Sequence, residues 1–247
     1  MALTKANKFI HFKDLILYED EHILLINKPV GMASLDDKST RNVNHLARLY
    51  HPELKLCHRL DKMTSGVLLL AKGGEHYRSI SLQFQHRQVR KCYHTLVAGV
   101  HQFDGYEINL PLLVTSNKKV YVNKQEGKAS KTRVFSREQF RNYTLLQCEP
   151  VSGRMHQIRV HLAAIRCPIV GDQLYGGADI YLSKLKRNYK FSMRKEEQPL
   201  NHGYLLHAHS LEFTHPASGE QLSFTAPYPK NFEVVLKVLR KYNAPAT

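Results

Sequence analysis

Asp61 lies in the segment His58-Arg59-Leu60-Asp61-Lys62-Met63-Thr64-Ser65-Gly66, with a guanidinium two residues before it and a Thr-Ser-Gly turn just after. A carboxylate so placed can attack as a nucleophile or take a proton. The apolar run Gly66 to Ala71 follows at once. The carboxylate would therefore sit on a loop held by a rigid element, a common position for reactive groups. The same spacing suits an aspartate that only braces the turn through the amides of Thr64 or Ser65, and taken alone the segment favours bracing.

A second segment, Glu149-Pro150-Val151-Ser152-Gly153-Arg154-Met155-His156-Gln157-Ile158-Arg159-Val160-His161, is equally dense in functional groups. A helix starting near Met155 would put His156 and Arg159 on one face, three apart, with Gln157 on another side. Arg159 could then hold a distant carboxylate ionised and oriented. A surface helix with routine charges is the plain alternative. His156 and His161 are five apart with no Glu after the first, so the zinc pattern H-E-x-x-H is absent and no metal is expected. Tyr93 opens a strand behind the basic cluster Arg87 to Lys91, which could lead a nucleotide toward it; otherwise it is a core residue. Gly171-Asp172-Gln173-Leu174-Tyr175-Gly176-Gly177 is a turn without the P-loop arrangement, and no G-x-G-x-x-G follows a strand, so no nucleotide cofactor is expected.

The elements that would position these groups are short. Leu15 to Tyr18 and His22 to Ile26 read as two buried strands, and Pro29 and Gly31 punctuate a loop after them. Val43 to Leu49 reads as a short helix and Gly66 to Ala71 as an interior strand. Tyr77, Ile80 and Phe84 give residues 75–88 one packed helical face. Cys92 to Ala98, Tyr143 to Cys148 and Leu205 to Phe213 read as strands, and His156 to Ile165 as a helix. Phe232, Val235, Leu236, Leu239 and Tyr242 form a terminal helical stripe. Strands interspersed with helices, without strict alternation, predict an α+β fold with a large mixed sheet in one domain.

The 247 residues carry 36 Lys and Arg against 21 Asp and Glu, a net charge of +15, with 15 His besides. Such an excess draws in polyanions, nucleic acid first among them. Residues 118–141 hold eight Lys or Arg against two Glu, and residues 184–195 hold six with no acid, interleaved with Tyr189 and Phe191. Cations among aromatics suit RNA, although either stretch alone fits a solvated loop nearly as well. Cys57, Cys92, Cys148 and Cys167 form no C-x-x-C pair and read as buried reduced thiols. No apolar run approaches a membrane span and no secretory h-region follows the start, so a cytoplasmic address is expected.

Together these segments resemble the RluA-type pseudouridine synthase family. The resemblance rests on Asn27-Lys28-Pro29-Val30-Gly31, His58 to Gly66, Lys91-Cys92-Tyr93, the 149–161 segment, Gly171 to Gly176, Leu206-His207-Ala208 and Thr214-His215-Pro216. It covers residues 15–230, and the R-L-D-x-x-T-S-G and G-R-x-H-Q-I-R-x-H elements carry most of its specificity. Met63, Ser152 and Met155 depart from the usual residues at non-catalytic positions. The resemblance implies a short tail at 1–12 and, over 13–247, a single catalytic domain with a long, largely antiparallel mixed sheet flanked by helices; many relatives also carry an N-terminal S4 domain, which is not expected here with only about a dozen residues before the first motif strand. Asp61 then matches the catalytic aspartate and Tyr93 the tyrosine that stacks on uracil. Arg59 matches the arginine that enters the RNA where the base flips out, and Arg159 the basic partner of the aspartate. His58, Arg154, His156 and Gln157 are expected at the RNA.

The implied reaction cleaves the N1–C1′ bond of a uridine, turns the uracil and rejoins it through C5. It consumes nothing, and neither cofactor nor metal is expected. The implied partner is ribosomal or transfer RNA, bound by a monomer, with no membrane involved. A non-catalytic RNA-binding or ribosome-assembly factor on the same scaffold is the alternative, against which the intact set Asp61, Tyr93 and Arg159 argues. A metal-dependent hydrolase using the histidines ranks last.

Overall fold

Ile23–Lys28 and Ser65–Lys72 are almost wholly buried along their length, and as adjacent interior strands they can be apolar on both faces. The computed structural model describes residues 10–35, 42–187, 189 and 196–245. Its strands are β1 (Ile16–Glu19), β2 (Ile23–Lys28), β3 (Leu54–Leu56), β4 (Ser65–Lys72), β5 (Arg90–Ala98) and β6 (Tyr106–Asn109). They continue as β7 (Leu112–Val114), β8 (Val120–Val122), β9 (Lys131–Gln139), β10 (Tyr143–Pro150), β11 (Leu206–Thr214) and β12 (Gln221–Thr225). The helices are α1 (Val43–Tyr50), α2 (Gly73–Gln85), α3 (Gln157–Ala164), α4 (Leu182–Leu185) and α5 (Lys230–Tyr242).

Ten strands form one mixed sheet in the order β1-β2-β4-β11-β5-β10-β9-β6, with β3 on β4 and β12 on β11. Every pairing is antiparallel except β4 with β11. β7 and β8 make a separate hairpin. The α+β expectation is met, including the long, largely antiparallel sheet.

Both faces of the sheet are covered. On one, Leu24, Ile26, Leu68 and Leu70 pack under Val43 and Ala47 of α1, while Val97, Leu146 and Cys148 pack under Ile158 and Leu162 of α3. On the other, Leu25 and Leu69 meet Ile80 of α2, and Leu96 and Leu145 meet Phe232, Val235, Leu236 and Leu239 of α5. Burying each such side chain contributes about 1.5–3 kcal/mol. Tyr93 touches both clusters on the first face, at the seam between the α1 and α3 sides.

The parallel pair at the centre explains Gly66. It adopts φ +112°, and a Cβ there would run into the carbonyl of Ala208, its register partner on β11. The neighbouring Ser65 Oγ lies 2.9 Å from His207 Nδ1, tying the same two strands through side chains.

Some expectations change. The helix read from His156 begins at Gln157; His156 precedes it in the left-handed conformation, φ 53°, so His156 and Arg159 do not share a helical face. The basic run 118–141, for which a solvated loop is the plain alternative, contains β8 and β9; the exposed arginines of β9, Arg133 and Arg137, point away from the buried Thr132 and Val134. Of the basic stretch 184–195, Asn188 and residues 190–195 lie outside the described residues. The four cysteines are free thiols; Cys148 and Cys167 are buried, Cys57 and Cys92 only partly so.

Candidate active site

The loop carrying Asp61 is clamped from one side by the loop that follows β2. Ser34 Oγ donates to the carbonyl of Leu60 at 2.8 Å and accepts from its amide at 3.0 Å. Gly31 N donates to Lys62 O at 2.9 Å. Lys28, wholly buried, extends its Nζ to the carbonyls of Pro29, Met32 and Lys62 at 3.1, 2.8 and 3.2 Å. Burial pushes the Lys28 ammonium down to about 7, with the charge of Asp61 opposing the shift. The Asn27–Gly31 motif thus fixes the backbone on either side of Asp61. Thr64 N closes the turn onto Asp61 O at 3.0 Å, so the bracing expected of this segment is done by backbone and leaves the carboxylate available.

Three groups converge on one oxygen of that carboxylate. Arg159 Nη1 lies 3.5 Å, His156 Nε2 3.8 Å and Tyr204 OH 3.4 Å from Asp61 Oδ2. The fork of Arg159 points elsewhere. Its Nε and Nη2 donate to Asp172 Oδ2 and Oδ1 at 2.7 and 2.8 Å. The expected carboxylate partner of Arg159 is therefore first Asp172, which is buried, and only secondarily Asp61. The guanidinium lies between two rings, 4.2 Å from the centroid of Tyr204 and 4.9 Å from that of Tyr175. Burial works against the Arg159 charge, but Asp172, Tyr204 and Asp61 outweigh it and raise its pKa. His156 is shifted down, chiefly by burial; Asp61 opposes the shift and Arg159 adds to it. Its Nδ1 lies 2.8 Å from Tyr175 OH, which ties its left-handed backbone to the Gly171–Gly176 turn.

Asp61, Arg159 and His156 line one pocket with Arg59, Tyr93, Lys91 and Arg154. Tyr93 reaches it from β5, opposite Ala208, whose small side chain leaves room for the ring. Burial raises the Tyr93 pKa, and Asp61 adds to the effect, so the phenol stays neutral. Arg59 and Arg154 are exposed at the rim. The structure thus brings Asp61, Tyr93, Arg159, Arg59, Arg154 and His156 together.

Two expected RNA contacts have other employment. His58 Nε2 accepts from Leu69 N at 3.1 Å, and its ring packs 4.9 Å from Phe84. Burial pushes His58 down to about 3, with Lys91 contributing, so it is a neutral acceptor that ties the loop to β4. Gln157, which is buried, donates to Lys131 O and Thr132 Oγ1 and accepts from Ser152 Oγ and Arg154 N. Its amide is saturated inside the protein and shapes the loop that presents Arg154. Asp172, Tyr175 and Lys28 stood in recognised motifs without a role; Tyr204 carried no signal in the sequence beyond its place just before Leu206-His207-Ala208.

The family model described as RNA pseudouridylate synthase matches residues 22–164. The chain is 36% identical over 241 residues to ribosomal large subunit pseudouridine synthase C of Vibrio vulnificus, an alignment covering 96% of this chain and 73% of that one. It is 38% identical over 234 residues to the Escherichia coli K12 protein of the same name, covering 92% and 70%. The solved structure titled Human RNA Pseudouridylate Synthase Domain Containing 4 superposes with a TM-score of 0.69 at 26% identity, covering 93% of this chain and 95% of that one. The chain belongs to the RNA pseudouridylate synthase family. Its activity is that of an intramolecular isomerase that converts uridine in RNA to pseudouridine. Among the described residues no helix is long and apolar enough to cross a membrane.

Proposed function

We propose that this isomerase modifies uridines of large-subunit ribosomal RNA, with Asp61 as the catalytic carboxylate. The observation that carries the role of Asp61 is the convergence of Arg159, His156 and Tyr204 on its Oδ2, in a pocket lined by Tyr93 and Arg59. The substrate class rests on the relatives named above.

The geometry suits the chemistry. Asp172 occupies the fork of Arg159, so Asp61 receives only the outer Nη1. It is oriented without being locked into a bidentate pair. We assign Oδ2 to these holding contacts and Oδ1 to the substrate, where it attacks C1′ or C6 of the uridine or removes a ribose proton. Taking the uridine out of its stack costs a few kcal/mol. The guanidinium of Arg59 entering the vacated space and the ring of Tyr93 receiving the uracil would offset that cost. Arg154 and His156 stand at the rim as RNA contacts.

The test is to map pseudouridines in ribosomal and transfer RNA from cells lacking the protein, complemented with wild type or with Asp61→Asn. Wild type restores specific large-subunit sites. Asp61→Asn restores none while its RNA affinity stays within a few-fold. Restoration by Asp61→Asn would remove Asp61 from the chemistry, and a growth defect rescued equally by both proteins would favour an assembly role.

A further inference from the structure

The pocket at Asp61 does not end at Tyr93. It opens into a second cavity bounded by Arg59, Arg154, Lys91 and the Phe84–Arg87 end of α2, with no carboxylate in its lining. That cavity shares Arg87, Lys91 and Val151 with a third, which continues round the start of β5 to Arg90 and Arg133. The two outer cavities hold about 450 and 340 Å³, against about 100 Å³ on the same measure for the pocket at Asp61. The inner pocket is therefore of the size of a base, and the outer path is of the size of a ligand chain. Six cations line this path. Among the described residues its acids are Glu149, opposite Arg133, and Glu212, 3.9 Å from Arg90, both at the β5 end.

Two residues of the path are placed at a conformational or solvation cost. Arg87 sits just past α2 with φ 60°, a left-handed position where glycine is the ordinary occupant. Among the described residues its side chain makes no hydrogen bond or ion pair, and it is exposed. Lys91 lines all three cavities and is held by the carbonyl of Ser152 at 3.2 Å. Burial, with Arg87 beside it, pushes its ammonium down to about 8. A cation kept in a poor setting for a cation is explained by an anion that arrives there.

We infer that the RNA strand flanking the flipped uridine on one side leaves the active site through this groove, its phosphates taken in turn by Lys91, Arg87 and Arg133. This rests on the synthase reading above and adds a direction to it. The strand passes round the start of β5, away from the β7–β8 hairpin on the other side of the pocket. The groove neutralises backbone and reads no base edge, so its contribution to affinity is independent of sequence and falls with salt.

The left-handed conformation of Arg87 supplies a clean test. Arg87→Gly suits that backbone better than the native residue, so stability is unchanged or raised. Binding of a labelled, uridine-rich single-stranded RNA of about twelve nucleotides is measured across a salt series. Arg87→Gly and Arg133→Ala should each weaken it about ten-fold at low salt. Each should also flatten the slope of log K against log salt by about 0.7. Lys237→Ala, on the exposed side of α5, should change neither. Native affinity and native slope in both groove variants, with wild type still forming pseudouridine, would overturn the groove and leave the synthase reading intact. Weakened, flattened binding in a protein that isomerises no uridine would support the groove and sink the catalytic reading.

Discussion

Arg159 gives its fork to Asp172 and only the outer corner of its guanidinium to Asp61. One buried cation thus serves two carboxylates with unequal geometry. The tighter contact is structural, and the looser one faces the pocket.

Removing the tighter partner should therefore injure folding and function together. Asp172→Asn leaves the Arg159 charge with half its compensation, at a cost of about 3 kcal/mol. For a chain of this size that lowers Tm by about 6–12 °C, read by calorimetry. Activity should fall as well, because the released guanidinium can turn toward Asp61. Arg159→Lys keeps the charge but cannot span both carboxylates, and should lose activity as strongly.

Tyr204 separates hydroxyl from ring. Its OH bridges Asp61 Oδ2 and Thr64 Oγ1 at 3.4 and 3.3 Å, while its face supports Arg159. Tyr204→Phe keeps the face and should lower kcat several-fold with KM unchanged and stability within about 1 kcal/mol of wild type. Tyr204→Leu loses both contacts and should add a loss of about 2 kcal/mol in stability. A rise in KM with kcat intact would place Tyr204 in RNA binding instead.

Acid should destabilise the protein through histidines as well as carboxylates. Burial pushes His94 down to about 3 and His207 to about 4; His209 adds to the first shift, and the bond to Ala226 O resists the second. Both therefore bind protons more weakly folded than unfolded. Their stabilising contribution is complete above about pH 6.5 and is lost as pH falls toward the folded values. Near pH 4.5 the loss is about 2 kcal/mol for each. Urea midpoints should fall over that window, and His94→Gln should flatten the fall.

Gly66→Ala places a methyl group against the backbone of β11 and strains a left-handed residue at once. The parallel pairing of β4 and β11 cannot move aside without disturbing Ser65 and His207, so a loss of more than about 3 kcal/mol is expected. Soluble yield and the urea midpoint report it.

The strands that carry the site were legible where burial is two-sided: Ile23 to Ile26 and Val67 to Ala71 are continuous apolar runs that few other elements produce. β9 was not, because Arg133, Arg137 and Glu138 interrupt it on its wet face and the strand reads as a charged loop. His156 was placed on a helix because spacing alone cannot reveal a left-handed residue before the first turn. Asp61, Tyr93 and Arg159 were legible as motif residues. That Asp172 binds Arg159 first was not, since it depends on a turn folding back against α3. His58 and Gln157 illustrate the converse: polar residues within a catalytic motif can hold the loop and not the substrate.

The strand order has a consequence in time. β11 lies between β4 and β5, so the loop of Asp61 and the strand of Tyr93 become neighbours only after residues 206–214 have been inserted between them. Tyr204, just ahead of β11, completes the contacts on Asp61 in the same event. During synthesis, the first four-fifths of the chain can emerge and collapse without forming a reactive site. The basic surface will meet RNA first, and the chemistry becomes possible only when a late strand closes the sheet.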